Sequence, residues 1–244
     1  KIEMFVFEKS IHIKDRAVLE EYLKGYDYQT SGLSFTSLYM WRNINNFSWK
    51  RSGDYLLLAG ASHLEEEGAA EPFFLPPLTK DGRYEPDGVR KAVLDAKECF
   101  EAEGYVFQMR LVPGHMLGML EEAFPDQMYF SEDRPNYDYV YRRSDLAELK
   151  GRDYHSKKNH LNYFRKNYSY EYVPLTAGMA WEAIEFVREL NRSRERSGHE
   201  LELLKMEEDA MADVFCHMEE AGYMGGAIRI DGKMQALTVG GQLN

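Results

Sequence analysis

Apolar positions along the chain switch repeatedly between a helical period and strand alternation. Val89, Val93, Ala96 and Phe100 recur at steps of three and four, which predicts an amphipathic helix over Val89–Glu103, ended by Gly104. Before it, the pattern predicts a short strand at Met4–Phe7, a helix over Lys14–Leu23, and a second helix over Ser34–Asn45 with Leu38, Trp41 and Ile44 at helical spacing. Phe47–Arg51 and Tyr55–Ala59 read as a hairpin across Ser52-Gly53-Asp54. Phe73–Leu75 reads as a strand stopped by Pro76-Pro77, because proline cannot donate to a ladder. After the long helix come a strand at Tyr105–Val112, a short helix at Met116–Ala123, and strands at Met128–Ser131 and Tyr137–Arg143.

The second half restarts the same order. Tyr170–Pro174 reads as a strand, Met179–Asn191 and Glu207–Ala221 as helices, and Tyr223–Ile230 with Lys233–Val239 as a hairpin on Asp231-Gly232, a strong turn signal. The expected class is therefore α/β with mixed sheets, in two units: residues 1–145, and residues 146–244, which open on a basic linking helix. Only the architecture repeats, not the residues. No closing strand or helix follows Val239, so the second unit reads as incomplete and the natural polypeptide is expected to continue. The alternative is that the second hairpin docks on the first unit and completes its sheet.

The 44% hydrophobic and 29% charged composition is that of a globular chain with room for two small cores or one large one. No run approaches the roughly 18 apolar residues of a membrane span, and Glu3, Glu8 and Lys9 break any secretory leader. A cytoplasmic location without integral membrane association is expected. Cys99 and Cys216 lie in apolar-periodic segments and read as reduced core thiols, too few for a disulfide or metal framework. Tyr39, Trp41, Trp49 and Trp181 read as packing residues.

A net charge of −11 argues against general DNA or anionic-membrane binding over the whole surface. The charge is unevenly spread, however. Arg142, Arg143, Lys150, Arg152, Lys157, Lys158, Arg165 and Lys166 face only Asp145, Glu148 and Asp153 in the same stretch. From Tyr154 onward a helical register puts Tyr154, Lys158, Leu161 and Arg165 on one side. Two cations sharing a stripe with an aromatic ring and a leucine suit the wall of a cleft that holds an anionic group, where arginine grips phosphate bidentately. The alternative has both stems snorkelling along the core edge to pair with the acidic body. Gly151 reads as a turn before this helix, or as a place where backbone amides approach a phosphate. His155 and His160, five apart, share no face and read as surface residues rather than metal ligands. Arg188, Arg192, Arg194 and Arg196 read as cations complementing a helix C-terminus. Nucleophile-elbow, zinc-protease, P-loop and dinucleotide fingerprints are absent.

Three stretches carry a family resemblance. Ser34-Phe35-Thr36-Ser37-Leu38-Tyr39-Met40-Trp41, then Tyr137-Asp138-Tyr139-Val140-Tyr141 with Asp145-Leu146-Ala147-Glu148-Leu149-Lys150-Gly151, then Lys157-Lys158-Asn159-His160-Leu161-Asn162 with Phe164 resemble the DUF2156 proteins of bacteria, related to the C-terminal domain of phosphatidylglycerol lysyltransferases. The resemblance implies tandem GNAT-like acyltransferase folds, the second incomplete here. It also implies transfer of an activated acyl group, from aminoacyl-tRNA or acyl-CoA, to an amine or hydroxyl. It casts Lys150, Arg152, Lys157, Lys158 and Arg165 as phosphate-handling residues of such a donor, with no firm cofactor and no metal. The first unit lacks the Gln/Arg-x-x-Gly-x-Gly/Ala loop before its Val89 helix, so acetyl-CoA is not expected there. The competing expectation is a noncatalytic binding or regulatory module whose basic helix docks an anionic ligand or partner.

Overall fold

Strand β3 (Tyr55–Ala61) organises the first half, because its alternation feeds two cores at once. Leu56 and Leu58 join one apolar cluster, while Leu57 and Ala59 join another on the opposite face. The chain is a mixed α/β protein, seen in a computed structural model that describes residues 6–25, 30–61, 71–192 and 198–243. The first sheet runs β1 (Lys9–Ser10), β2 (Ser48–Ser52), β3, β4 (Pro72–Phe74), with β5 (Leu78–Thr79) also paired to β3, all antiparallel. The β2–β3 turn is the expected tight hairpin, with Gly53 at φ 56°.

Helix α3 (Pro86–Ala102) covers one face of this sheet with Val89, Ala92, Val93, Ala96 and Phe100, the stripe its periodicity announced. Proline stands in its first turn, where a missing N–H costs nothing. Helix α4 (Leu117–Ala123) adds Leu120 and Ala123 to the same cluster. The other face carries α1 (Arg16–Leu23) and α2 (Phe35–Met40). Helix α2 starts at Ser34, whose side chain accepts from the backbone N–H of Ser37.

The second sheet is β6 (Tyr170–Pro174), β7 (Tyr223–Ile230) and β8 (Lys233–Gly241), antiparallel, with β7 central. Its turn is the expected Asp231-Gly232, both with positive φ (50° and 76°). Tyr223, Ala227 and Met234 are buried with α7 (Ala180–Arg192), α8 (Gly198–Cys216) and α9 (Met218–Ala221). Their cluster also contains Leu19, Leu38, Leu56 and Phe73 from the first half, so a single core crosses residue 145. Polar contacts reinforce that junction. The Tyr223 hydroxyl donates to the Thr36 carbonyl at 2.9 Å, and Arg16 donates to the Glu220 carbonyl. Arg42 pairs with Asp213 and lies 3.9 Å from the Tyr39 ring centroid. Burial pushes the Tyr223 phenol well above its usual range, in spite of nearby Arg42, which keeps it a neutral donor. Among the described residues no strand of one sheet pairs with a strand of the other, so the docking hairpin completes no shared sheet.

Several sequence expectations need correction. Tyr105–Val112 is not a strand; it contributes one parallel bridge, Met109 to Phe74, in which Phe74 N–H donates to Gln108 at 2.9 Å and Arg110 N–H donates to Phe74 at 3.0 Å. Leu111 then turns left-handed (φ 57°) and ends the pairing. Met128–Ser131 and Tyr137–Arg143 form no strand among the described residues. Their alternation is strand-like, but the side chain that tethers the second run, Asp138, bonds the Ser31 N–H and hydroxyl (2.9 and 2.5 Å) and straps the run over a turn. Of Met4–Phe7, the portion within the described residues is a bend, and strand β1 comes two residues later. The helix expected over Ser34–Asn45 is regular only to Met40 and continues as turns, and α8 begins well before Glu207. Trp181 is 73% exposed, and Cys216 is exposed rather than in the core. Arg188 does more than complement a helix end, pairing with Glu185 and Glu208 at 2.9 and 3.0 Å, and Arg194 and Arg196 lie outside the described residues. No helix among the described residues is long and apolar enough to cross a membrane.

Candidate anion-binding surface

Between the strap and β6 the chain builds a basic projection. Helix α5 (Arg143–Glu148) ends at Leu149, which is left-handed (φ 48°), and Gly151 follows with φ 95° and ψ 171°. Only glycine enters that region without strain, so the glycine read as a turn marker is required by backbone geometry. A Cβ there would meet no neighbour, so the constraint is conformational rather than steric. Gly151→Ala should therefore cost about 1–3 kcal/mol and lower Tm by a few degrees. An unchanged thermal melt would mean the turn is not needed.

A 3-10 turn, Arg152–Tyr154, then feeds α6 (His155–Asn167). Its far end is pinned to β6 by Phe164, whose ring centroid lies 5.3 Å from Tyr168 and 5.0 Å from Tyr170. Tyr154, Leu161 and Phe164 are half-buried and form the inner face; no residue of α6 is fully buried. Arg165 and Lys166 occupy its last turn, where cations complement the helix dipole.

The basic side chains behave differently from the expected cleft wall. Lys150, Arg152, Lys157, Lys158 and Arg165 are all exposed. Lys158 and Arg165 do flank Leu161 in the predicted register, but both point to solvent, and the inward-facing arrangement is not formed. The reason is that Phe164, displaced around the helix from the expected stripe, makes the anchoring contact and turns the cations outward. The snorkelling alternative fails as well: among the described residues no carboxylate lies within ion-pair distance of Arg152, Lys157, Lys158 or Arg165, and Lys150 alone of the five has a partner, Glu148 at 2.5 Å. The result is an open, largely uncompensated basic surface.

Exposed rings stand on the neighbouring segments, Tyr137, Tyr139 and Tyr141 on the strap, Tyr163 on α6 and Tyr172 on β6, and Tyr129 is exposed as well. The alternation of Tyr137, Tyr139 and Tyr141 is the available signal in the sequence, but it reads more naturally as one face of a strand than as a set of solvent-facing rings. Among the described residues no group of His, Cys, Asp and Glu could hold a metal. Chemically, the surface offers cations to phosphate oxygens and flat faces to rings or bases.

Fold and surface together define a mixed α/β protein with two antiparallel sheets on a shared core and a projecting basic helix. The signature of the phosphatidylglycerol lysyltransferase C-terminal domain matches residues 24–244, and the chain belongs to that family. A conserved protein of unknown function from Bacteroides thetaiotaomicron VPI-5482 has a similar crystal structure, with a TM-score of 0.80 at 28% identity over 97% of this chain and 75% of that one. No functionally curated protein matches.

Proposed function

We propose that the chain is an acyl- or aminoacyl-transferase built of two GNAT-like units, residues 1–145 and 146–244, that moves an activated acyl group from a phosphate-bearing donor to an amine or hydroxyl. Membership of a lysyltransferase-related family supports the transferase class. The observation that carries the reading further is the largely uncompensated basic surface of Lys150, Arg152, Lys157, Lys158 and Arg165, with exposed tyrosines on α6 and the segments flanking it, which suits an aminoacyl-tRNA end or the phosphates of an acyl-CoA.

The parallel bridge at Phe74 and Met109 supports the GNAT-like assignment of the first unit, since such folds splay a pair of parallel strands into a wedge. Beyond this bridge Leu75, Pro76 and Pro77 are buried, and the prolines have no N–H to offer a developing oxyanion. The first unit therefore acts as a scaffold, and donor handling falls to the second unit and its basic helix.

The test is turnover. The protein, incubated with labelled aminoacyl-tRNA or acyl-CoA and a panel of amine and hydroxyl acceptors, should transfer label from one donor class. Solvent exposure of the two stripe cations favours a second reading, a noncatalytic module that docks an anionic partner. Binding of donor without transfer from either class would establish that reading in place of the first.

A further inference from the structure

Among the described residues, helices α7, α8 and α9 pack on one face of the second sheet, and the other face is open apart from a margin touched by α6. The packed face holds Tyr223 and Ala227 in the shared core, and Arg229 reaches Glu182 of α7 from the same side. Alternation sends the intervening residues outward. The pairing register puts Tyr170 and Tyr172 of β6 in rows with Ile230 and Ile228 of β7 and with Lys233 and Ala236 of β8. Tyr172 is 63% exposed, and Met224, further along the same face, is 59% exposed. Between them Gly226 keeps the floor low, because the Tyr172 ring lies over it where a Cβ would collide with the hydroxyl. On a chain of net charge −11, Lys233 is the one charged side chain that the register assigns to this face among the described residues. An apolar sheet face open to solvent marks a surface that receives a further layer.

We propose that this face is the docking site for an amphipathic helix of a partner protein, apolar along one side and acidic along its flank. Size decides between a helix and a second copy. Three strands about 4.8 Å apart and about 26 Å long present roughly 400 Å², half of the roughly 800 Å² per partner that a stable dimer buries. A helix about 10–12 Å across covers the same width in a single layer. Charge decides the flank. At the turn end of the face Lys233 stands on the β8 margin. On the β6 margin Phe164 packs against Tyr170 at 5.0 Å, which puts the end of α6 on this side of the sheet and brings the exposed Arg165 and Lys166 with it. Of the nearby carboxylates, Asp231 lies in the turn and Glu171 shares the opposite face with Arg229. An acidic flank pairs with these cations, whereas a basic one is repelled. Docking here needs no acyl transfer, so it stands or falls apart from the transferase reading.

The probe is a fluorescein-labelled peptide of about 18 residues, long enough as a helix to span the face, with leucines on one side and glutamates along the flank. Fluorescence anisotropy on the intact protein compares it with two controls: the same helix with lysines in place of the glutamates, and the same composition with the leucines scattered around the wheel. The glutamate helix should bind at least about tenfold more tightly than either control. Met224→Asp and Ala236→Asp, both at exposed positions, should each weaken it about tenfold with little change in Tm. Lys233→Glu should weaken the glutamate helix and strengthen the lysine helix, a reversal that loss of fold does not mimic. The proposal is overturned if the glutamate helix does not bind, if the scattered peptide binds as well, or if both aspartate variants leave its affinity unchanged. It is also overturned if sedimentation shows the free protein to be a dimer that Ala236→Asp dissociates, which would give the face to a second copy.

Discussion

Replacing Phe215 by alanine should destabilise the protein by about 3–5 kcal/mol, the range for emptying a large, fully buried aromatic site. Phe215 is 1% exposed and sits in the cluster that joins α1, α2 and the first sheet to α8, α9 and β7. Because that cluster draws side chains from both halves, the loss should fall on the whole protein. Chemical denaturation followed by two probes, fluorescence of Trp49 in a background carrying Trp41→Phe and Trp181→Phe, and far-ultraviolet dichroism, should give coincident transitions displaced together to lower denaturant. If Trp49 kept its wild-type midpoint while the second half melted early, the two halves would be independently stable and the shared core a mere contact.

The second large effect is functional. Lys158→Glu with Arg165→Glu should reduce binding of a phosphorylated donor by about a hundredfold or more, since each substitution removes a phosphate partner and adds a repelling charge. Both residues are exposed and neither forms an ion pair among the described residues, so Tm should stay within about a degree or two of wild type. The measurement is a pair: donor affinity by fluorescence anisotropy and a thermal melt on the same preparation. Loss of affinity with loss of fold would mean that these side chains support structure instead.

How much of the molecule is legible in its sequence depends on where each segment's constraints reside. The α3 stripe, the Gly53 and Asp231-Gly232 turns and the three strands of the second sheet are specified locally, by period and by residues that accept positive φ, and they stand where expected. The run Tyr137–Arg143 has the alternation of a strand, but pairing needs a partner that local sequence does not encode, and Asp138 instead commits its carboxylate to the Ser31 turn. Helical spacing puts Tyr154, Lys158, Leu161 and Arg165 in one sector of a wheel, yet Tyr154 and Leu161 are half-buried while Lys158 and Arg165 are exposed, because register fixes relative angle only. Which side faces inward is decided by Phe164 meeting Tyr170, a contact between α6 and β6 that the wheel alone cannot supply. Likewise Cys99 reads from its apolar neighbours as a reduced core thiol, while the approach of Lys50, forty-nine positions earlier, gives it a charged partner.

In the proposed function an open basic surface, not an enclosed cleft, receives the phosphates of the donor. The most direct measurement is donor affinity against salt concentration for wild type and for Lys158→Glu/Arg165→Glu, using aminoacyl-tRNA and acyl-CoA in parallel. With RNA as the donor, log affinity should fall linearly with log salt, and the double variant should show a shallower slope by about 0.7–0.9 for each phosphate contact removed. Equal slopes and equal affinities for the two proteins, or no binding of either donor by wild type, would mean that this surface does not receive the donor.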